Sequence, residues 1–278
     1  MVGIKTKTYR VTKFEDVDTG ERKKLLVGSV FATDNDLQRQ WLDLQLSFLN
    51  GTTHDFDHVA ILYNNTHSGY FSSRTETIRL DPVADKKMSK AHTFGLNTLK
   101  EIFRSRRKMY RNFLFMDSDA FPIRTDWQSV LDKKMEDRSA AFLIRSEELE
   151  TRAHASVLYL KESALDNSSF TIGLSGLDLI GCEEYDVFSS YFEEHREEVF
   201  SLVRSNQLNI HPVLCGVYYD CFYHHGCGSA DFPNLRSNDY WDGICKAETI
   251  NSYTERLMSN PEEFVGKLAG WTPERYLR

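Results

Sequence analysis

Three short, almost unbroken apolar runs set the main limit on how this chain can fold. They are Leu25 to Phe31 (LLVGSVF), Val59 to Tyr63 (VAILY) and Phe113 to Met116 (FLFM). A strand apolar on both sides needs cover on both faces, as in parallel sheets flanked by helices. The intervening stretches supply those helices. Asp34 or Asn35 offers an N-cap, Gln38 to Phe48 has apolar residues at helical spacing, and Lys90 to Arg104 reads as a second helix. This β-α-β-α-β order predicts a mostly parallel sheet in an α/β/α sandwich. Ligands of such sheets bind beyond the carboxyl ends of the strands. Three polar clusters fall there: Thr33-Asp34-Asn35, Asn64-Asn65 and Asp117-Ser118-Asp119.

The later chain is less regular. Ala140 to Ile144 and Val157 to Leu160 read as strands, Glu183 to Val203 as a long acidic helix, and Val217 to Tyr223 as one strand running into His224-His225-Gly226. A chain of 278 residues with 41% hydrophobic and 13% aromatic content supports a large packed core rather than disorder. A formal charge of −7 argues against general nucleic-acid binding, which needs a basic face. The five Cys, at 182, 215, 221, 227 and 245, form no CxxC pair and read as free thiols of a reducing compartment. No apolar leader and no run long enough to cross a bilayer is present, so cytoplasmic residence is expected. The sequons at Asn50, Asn64 and Asn167 are then chance matches.

The chemistry concentrates in Arg111 to Ile123, RNFLFMDSDAFPI. Residues two apart on an extended chain point the same way. Asp117 and Asp119 can therefore converge on one hard cation, with Ser118 turned aside. Mg and Mn take oxygen ligands, commonly one or two carboxylates plus substrate phosphates. Two carboxylates ending a buried strand are costly without a partner.

This strand-DxD unit, its place after two earlier strands and the string FLFMDSDAFPI followed by Trp127 resemble GT-A glycosyltransferases of a bacterial and viral group. The resemblance is good over roughly residues 24 to 130 and patchy beyond. It implies a GT-A (Rossmann-like) α/β/α sandwich. It also implies transfer of a sugar from a UDP-, GDP- or dTDP-sugar to an acceptor hydroxyl on a glycan or small molecule. Mn or Mg at Asp117 and Asp119 would bridge the donor's phosphates. His224-His225-Gly226-Cys227-Gly228-Ser229 resembles a His-x-Gly-x-x-Ser stretch whose His completes the metal shell, which marks His224, with His225 as its neighbouring alternative. Similar enzymes seat the nucleotide over the strand ends, which implies roles for Ala32, Thr33, Asn64 and Ser118, and for His92 and Asn97 on the second helix. The whole chain is expected to be one domain, with residues 1–123 as donor half and 124–278 as acceptor half.

A catalytic base is not marked by any motif. An inverting transferase needs a carboxylate for the acceptor proton; Asp178, in an apolar Gly-flanked stretch, and Glu147 and Glu148, just past AAFLI, are the candidates. A retaining enzyme would need none. Two rival readings exist. A haloacid-dehalogenase-like phosphoryl transferase also places DxD after an apolar strand, but normally has Thr or Val where this chain has Phe121 before Pro122. A non-catalytic nucleotide-sugar or carbohydrate-binding module would suit the aromatic richness and the missing base.

Overall fold

The computed structural model describes residues 23–31, 35–62, 75–80, 88–145, 152–167, 170, 191, 194–206, 214–226 and 247–270. In chain order the elements begin with β1 (Lys23–Phe31), α1 (Asp36–Thr52), β2 (Phe56–Leu62), β3 (Glu76–Arg79), α2 (Met88–Ser105), β4 (Tyr110–Asp117) and β5 (Ala120–Pro122). They continue with α3 (Trp127–Lys134), β6 (Ala140–Arg145), β7 (Arg152–Lys161), α4 (Glu162–Asp166), β8 (Val199–Leu202), β9 (Gly216–Tyr218) and β10 (Phe222–His224). Two helices follow, α5 (Ala247–Ser259) and α6 (Pro261–Ala269).

Seven strands form the central sheet in the order β3-β2-β1-β4-β7-β6-β8. Pairings among β3, β2, β1 and β4 and between β6 and β8 are parallel; β7 runs antiparallel to both its neighbours. The parallel half is the one built from the apolar runs. In β1, Leu25, Val27 and Phe31 join a core containing Trp41, Leu42, Leu46 and Leu49 of α1. Leu26 and Val30, on the opposite face, meet Leu96, Leu99, Ile102 and Phe103 of α2. The two-residue alternation of a strand thus feeds two cores, and the mostly parallel α/β sandwich expected from sequence is present.

Local chemistry sets the ends. Asn35 caps α1 by accepting a hydrogen bond from the Gln38 amide at 2.8 Å. Asn260 does the same for α6, with Pro261 in its first turn and left-handed Gly270 closing it. Gly28 in β1 allows α2 to pack close, because a Cβ there would lie 2.4 Å from Leu99 Cδ1.

Two sequence expectations are corrected. The acidic stretch expected to be helical up to Val203 carries a 3-10 turn at Arg196–Glu198 and then strand β8; pairing with the edge of β6 outweighs helix propensity there. Val217 to Tyr223 is no single strand. It is the β9–β10 hairpin, turned at Tyr219 and Asp220, both at positive φ. The structure also adds β3, whose side chains are half-exposed and which pairs with β2 at the sheet edge. Cys215 and Cys221 are buried free thiols, as expected; Cys182, Cys227 and Cys245 lie outside the described residues. Among the described residues, no helix is long and apolar enough to cross a membrane.

Candidate metal centre

Two ladders assemble the site. Parallel pairing with β1 carries β4 out to Asp117 at its carboxyl end. The chain turns through Ser118 and Asp119 and enters β5, which pairs with β10 in a separate three-stranded sheet. In that ladder His224 faces Ala120. The backbone N–H of His225 donates to the Asp119 carbonyl at 3.0 Å, which fixes the turn against β10.

One ligand atom each from Asp117, Asp119 and His224 lie within 4.8 Å of one another. His224 Nε2 is 3.4 Å from Asp119 Oδ1 and 3.8 Å from Asp117 Oδ2. Asp119 and His224 are almost fully buried, at 3% and 2% exposure, so water solvates these groups poorly. Asp117 Oδ1 is buried and accepts no hydrogen bond. His92 Nε2 faces that oxygen at 3.4 Å, without the alignment of a hydrogen bond. Among the described residues, no Lys or Arg pairs with Asp117. Two carboxylates and an imidazole that share one point suit a divalent cation such as Mn or Mg. The buried carboxylate oxygen without a donor fits the same reading, because a charge there costs free energy until a cation meets it.

The neighbouring histidine does a different job. His225 Nδ1 lies 2.6 Å from the Tyr223 hydroxyl and its Nε2 lies 3.0 Å from Thr254 Oγ1 of α5. Burial lowers its pKa to about 4 and keeps it neutral. It ties the C-terminal helix to the strand, and its ring nitrogens are engaged away from the aspartates.

Gln45 of α1, fully buried, holds the turn from behind. Its Nε2 donates to the Asp117 carbonyl at 2.9 Å and to the Ala120 carbonyl at 2.7 Å. Its Oε1 accepts from Ser29 Oγ at 2.7 Å, with His58 Nε2 at 3.2 Å. A buried polar side chain whose atoms are all used is a rigid brace.

Of the residues marked from sequence, Asp117, Asp119, His224 and His92 come together. Ser118 is buried within the turn. Asn97 donates to the Thr93 carbonyl of its own helix at 3.0 Å. Ala32, Thr33, Asn64, Glu147, Glu148 and Asp178 lie outside the described residues. The sequence reading missed Gln45, His154 and Ser156. The available signal for Gln45 was a glutamine on the apolar face of α1. For His154 it was a histidine between small residues in an otherwise apolar strand, Ala153-His154-Ala155-Ser156.

No protein-family model matches the sequence, and no curated protein matches it. Solved structures of similar shape do exist. One is a glycosyltransferase involved in glycosylation of the major capsid of PBCV-1, with 12% identity, TM-score 0.40, and coverage of 64% of this chain and 81% of that one. Another is the mannosyltransferase PcManGT of Pyrobaculum calidifontis, in complex with GDP-Man and Mn2+, with 10% identity, TM-score 0.42, and coverage of 68% and 59%. A third is S. aureus TarS in complex with UDP-GlcNAc, with 9% identity, TM-score 0.41, and coverage of 66% and 60%. The described residues form a mixed α/β fold with a mostly parallel seven-stranded sheet flanked by helices, as the sequence leads one to expect. These likenesses concern shape; the chemistry has to come from the side chains.

Proposed function

We propose that the protein is a metal-dependent glycosyltransferase that moves a sugar from a nucleotide-diphosphate sugar to an acceptor hydroxyl. The observation that carries this reading is the convergence of Asp117, Asp119 and His224 at the carboxyl end of β4, with a buried carboxylate oxygen that accepts no hydrogen bond. Mn or Mg held there would neutralise the charge that develops on a departing diphosphate. The chain's own residues do the rest. Asp117 and Asp119 would supply carboxylate oxygens to the cation and His224 a ring nitrogen, while Gln45 braces the turn that carries both aspartates. His92 stands beside Asp117, and would contact the bound nucleotide there.

Residues 1–123 would form the donor half and residues 124–278 the acceptor half, with His224 returning from the second to complete the first. The nucleotide would lie along Ala32, Thr33, Asn64, Asn97 and Ser118. If the reaction inverts configuration, the base would come from Asp178, Glu147 or Glu148.

Calorimetric titration of UDP, GDP and dTDP with and without Mn2+ tests this reading. At least one nucleotide should bind only with the cation, and Asp119→Ala should abolish that binding. Equal binding by the parent and Asp119→Ala, or binding indifferent to Mn2+, defeats it.

A further inference from the structure

Behind His224 the sheet carries an irregularity that faces the same cluster. Along β6 and β7 the register jumps: Phe142 faces Leu158, but the next residue, Leu143, faces His154. Ala155, Ser156 and Val157 fall between those pairs. Val157 pairs instead with Met116, one residue before Asp117. Bulges of this kind re-aim side chains beside sites. Here the bulge releases the Ser156 N–H from the β6 ladder, and that N–H donates to His154 Nδ1 at 3.2 Å.

That bond fixes the proton positions. A nitrogen that accepts from a backbone N–H carries no proton of its own, so His154 is the tautomer with its hydrogen on Nε2. Ser156 Oγ also contacts His154 Nδ1 and must be the donor in that contact. The single hydroxyl proton is thereby directed at His154. The lone pairs of Ser156 Oγ are left on the side of the His224 ring, whose Nε2 lies at 3.2 Å and Nδ1 at 3.4 Å. The nearer nitrogen, Nε2, is the one facing Asp119 and Asp117. Ser156 and His154 are both buried, at 0% and 5% exposure, so water does not readily serve these lone pairs.

The cluster is therefore lined on one more side by an oxygen that can only accept. Around an ion with bonds of about 2.1 Å, adjacent ligand atoms in an octahedron are about 3 Å apart. The separations from His224 Nε2 to Ser156 Oγ, Asp119 Oδ1 and Asp117 Oδ2, at 3.2, 3.4 and 3.8 Å, are of that order. We propose that Ser156 Oγ is a further ligand of the cation held by Asp117, Asp119 and His224, and that His154 is the positioning residue that keeps its proton turned away. This rests on the cation-binding reading above, and adds to it a ligand from β7.

The test is Mn2+ binding to the purified full chain, followed by calorimetry and by the electron paramagnetic resonance signal of unbound Mn2+. Ser156→Ala should bind at least about tenfold more weakly than the parent. Ser156→Cys should turn the preference from Mn2+ toward the softer Cd2+. It should also show a sulfur-to-cadmium charge-transfer band above that of the parent's native thiols, and the added Asp119→Ala change should remove it. The Cys variant is nearly isosteric and keeps the test available if the Ala variant does not fold. Binding by Ser156→Ala as tight as the parent's, or a Cys variant with no added band, overturns the ligand role and leaves the three-residue site standing. A parent that binds no divalent cation overturns the site itself.

Discussion

Gln45 grips Asp117 by its backbone and leaves the carboxylate to the site: Nε2 donates to the Asp117 carbonyl at 2.9 Å. The same nitrogen reaches the Ala120 carbonyl, so one side chain spans the turn that carries both aspartates. Gln45→Leu keeps the volume and removes every polar contact. Two buried carbonyls then lose their donor, at about 1–3 kcal/mol each. Urea denaturation should show a loss of about 2–6 kcal/mol, and Mn2+ affinity should drop in the folded fraction. Unchanged stability would show that the brace is idle.

His58 gives the fold an acid-labile point. Burial lowers its pKa from 6.5 to about 3. Its ring lies 3.2 Å from Ser29 Oγ and from Gln45 Oε1, and 2.5 Å from Thr75 Oγ1. The unfolded chain takes up this proton first, because its pKa is the higher one. Above about pH 6.5 both states are neutral and His58 adds no pH dependence. Below that value, stability falls by at most about 1.4 kcal/mol per pH unit until about pH 3. The gap between denaturation midpoints at pH 7 and pH 5 should be smaller in His58→Gln than in the parent, with His225 supplying part of what remains. Equal pH slopes in the two proteins would place the acid sensitivity elsewhere.

The order of the strands and the DxD turn could be read from the sequence because both rest on local pattern. Leu25 to Phe31 is apolar on both faces, which few structures other than a covered strand allow. Asp117 and Asp119 end such a strand, where two closely spaced carboxylates are conspicuous. What stayed hidden depends on pairing at long range. Glu76 to Arg79 is polar and short, and becomes a strand only because β2 lies beside it. Val199 to Leu202 continues an acidic helical pattern and is drawn into the sheet by β6. Ser156 has no motif; its aim is set by a register jump that exists only once β4, β6 and β7 are together.

The β9–β10 hairpin escaped notice for a different reason, which leads to a third expectation. Tyr219 and Asp220 sit at φ 51° and 50°, in a turn normally given to Asn-Gly. Asp220→Gly should relieve that strain and stabilise the protein by about 1 kcal/mol. The Asp220 N–H that donates to Ser205 Oγ is retained. A urea midpoint that does not rise would mean the turn is held without strain.

Gly28 gives the fourth. A methyl there meets Leu99 Cδ1, Cδ2 and Cγ at 2.4, 2.6 and 2.8 Å, so α2 or the Leu99 side chain must move. Gly28→Ala should cost about 1–3 kcal/mol, as overpacking does. Paired with Leu99→Ala it should cost much less than the two changes separately, a coupling that a double-mutant cycle measures. Strict additivity would show that the two positions do not press on each other.

The pairing of His224 with Ala120 has a consequence for the newborn chain. The aspartates leave the ribosome before the strand that brings their imidazole, which is made more than a hundred residues later. A fragment ending before β9 would hold the acidic pair without its clasp, and should capture Mn2+ poorly even where its parallel strands have formed. Competence would then arrive late in synthesis and in one step, when the returning hairpin docks.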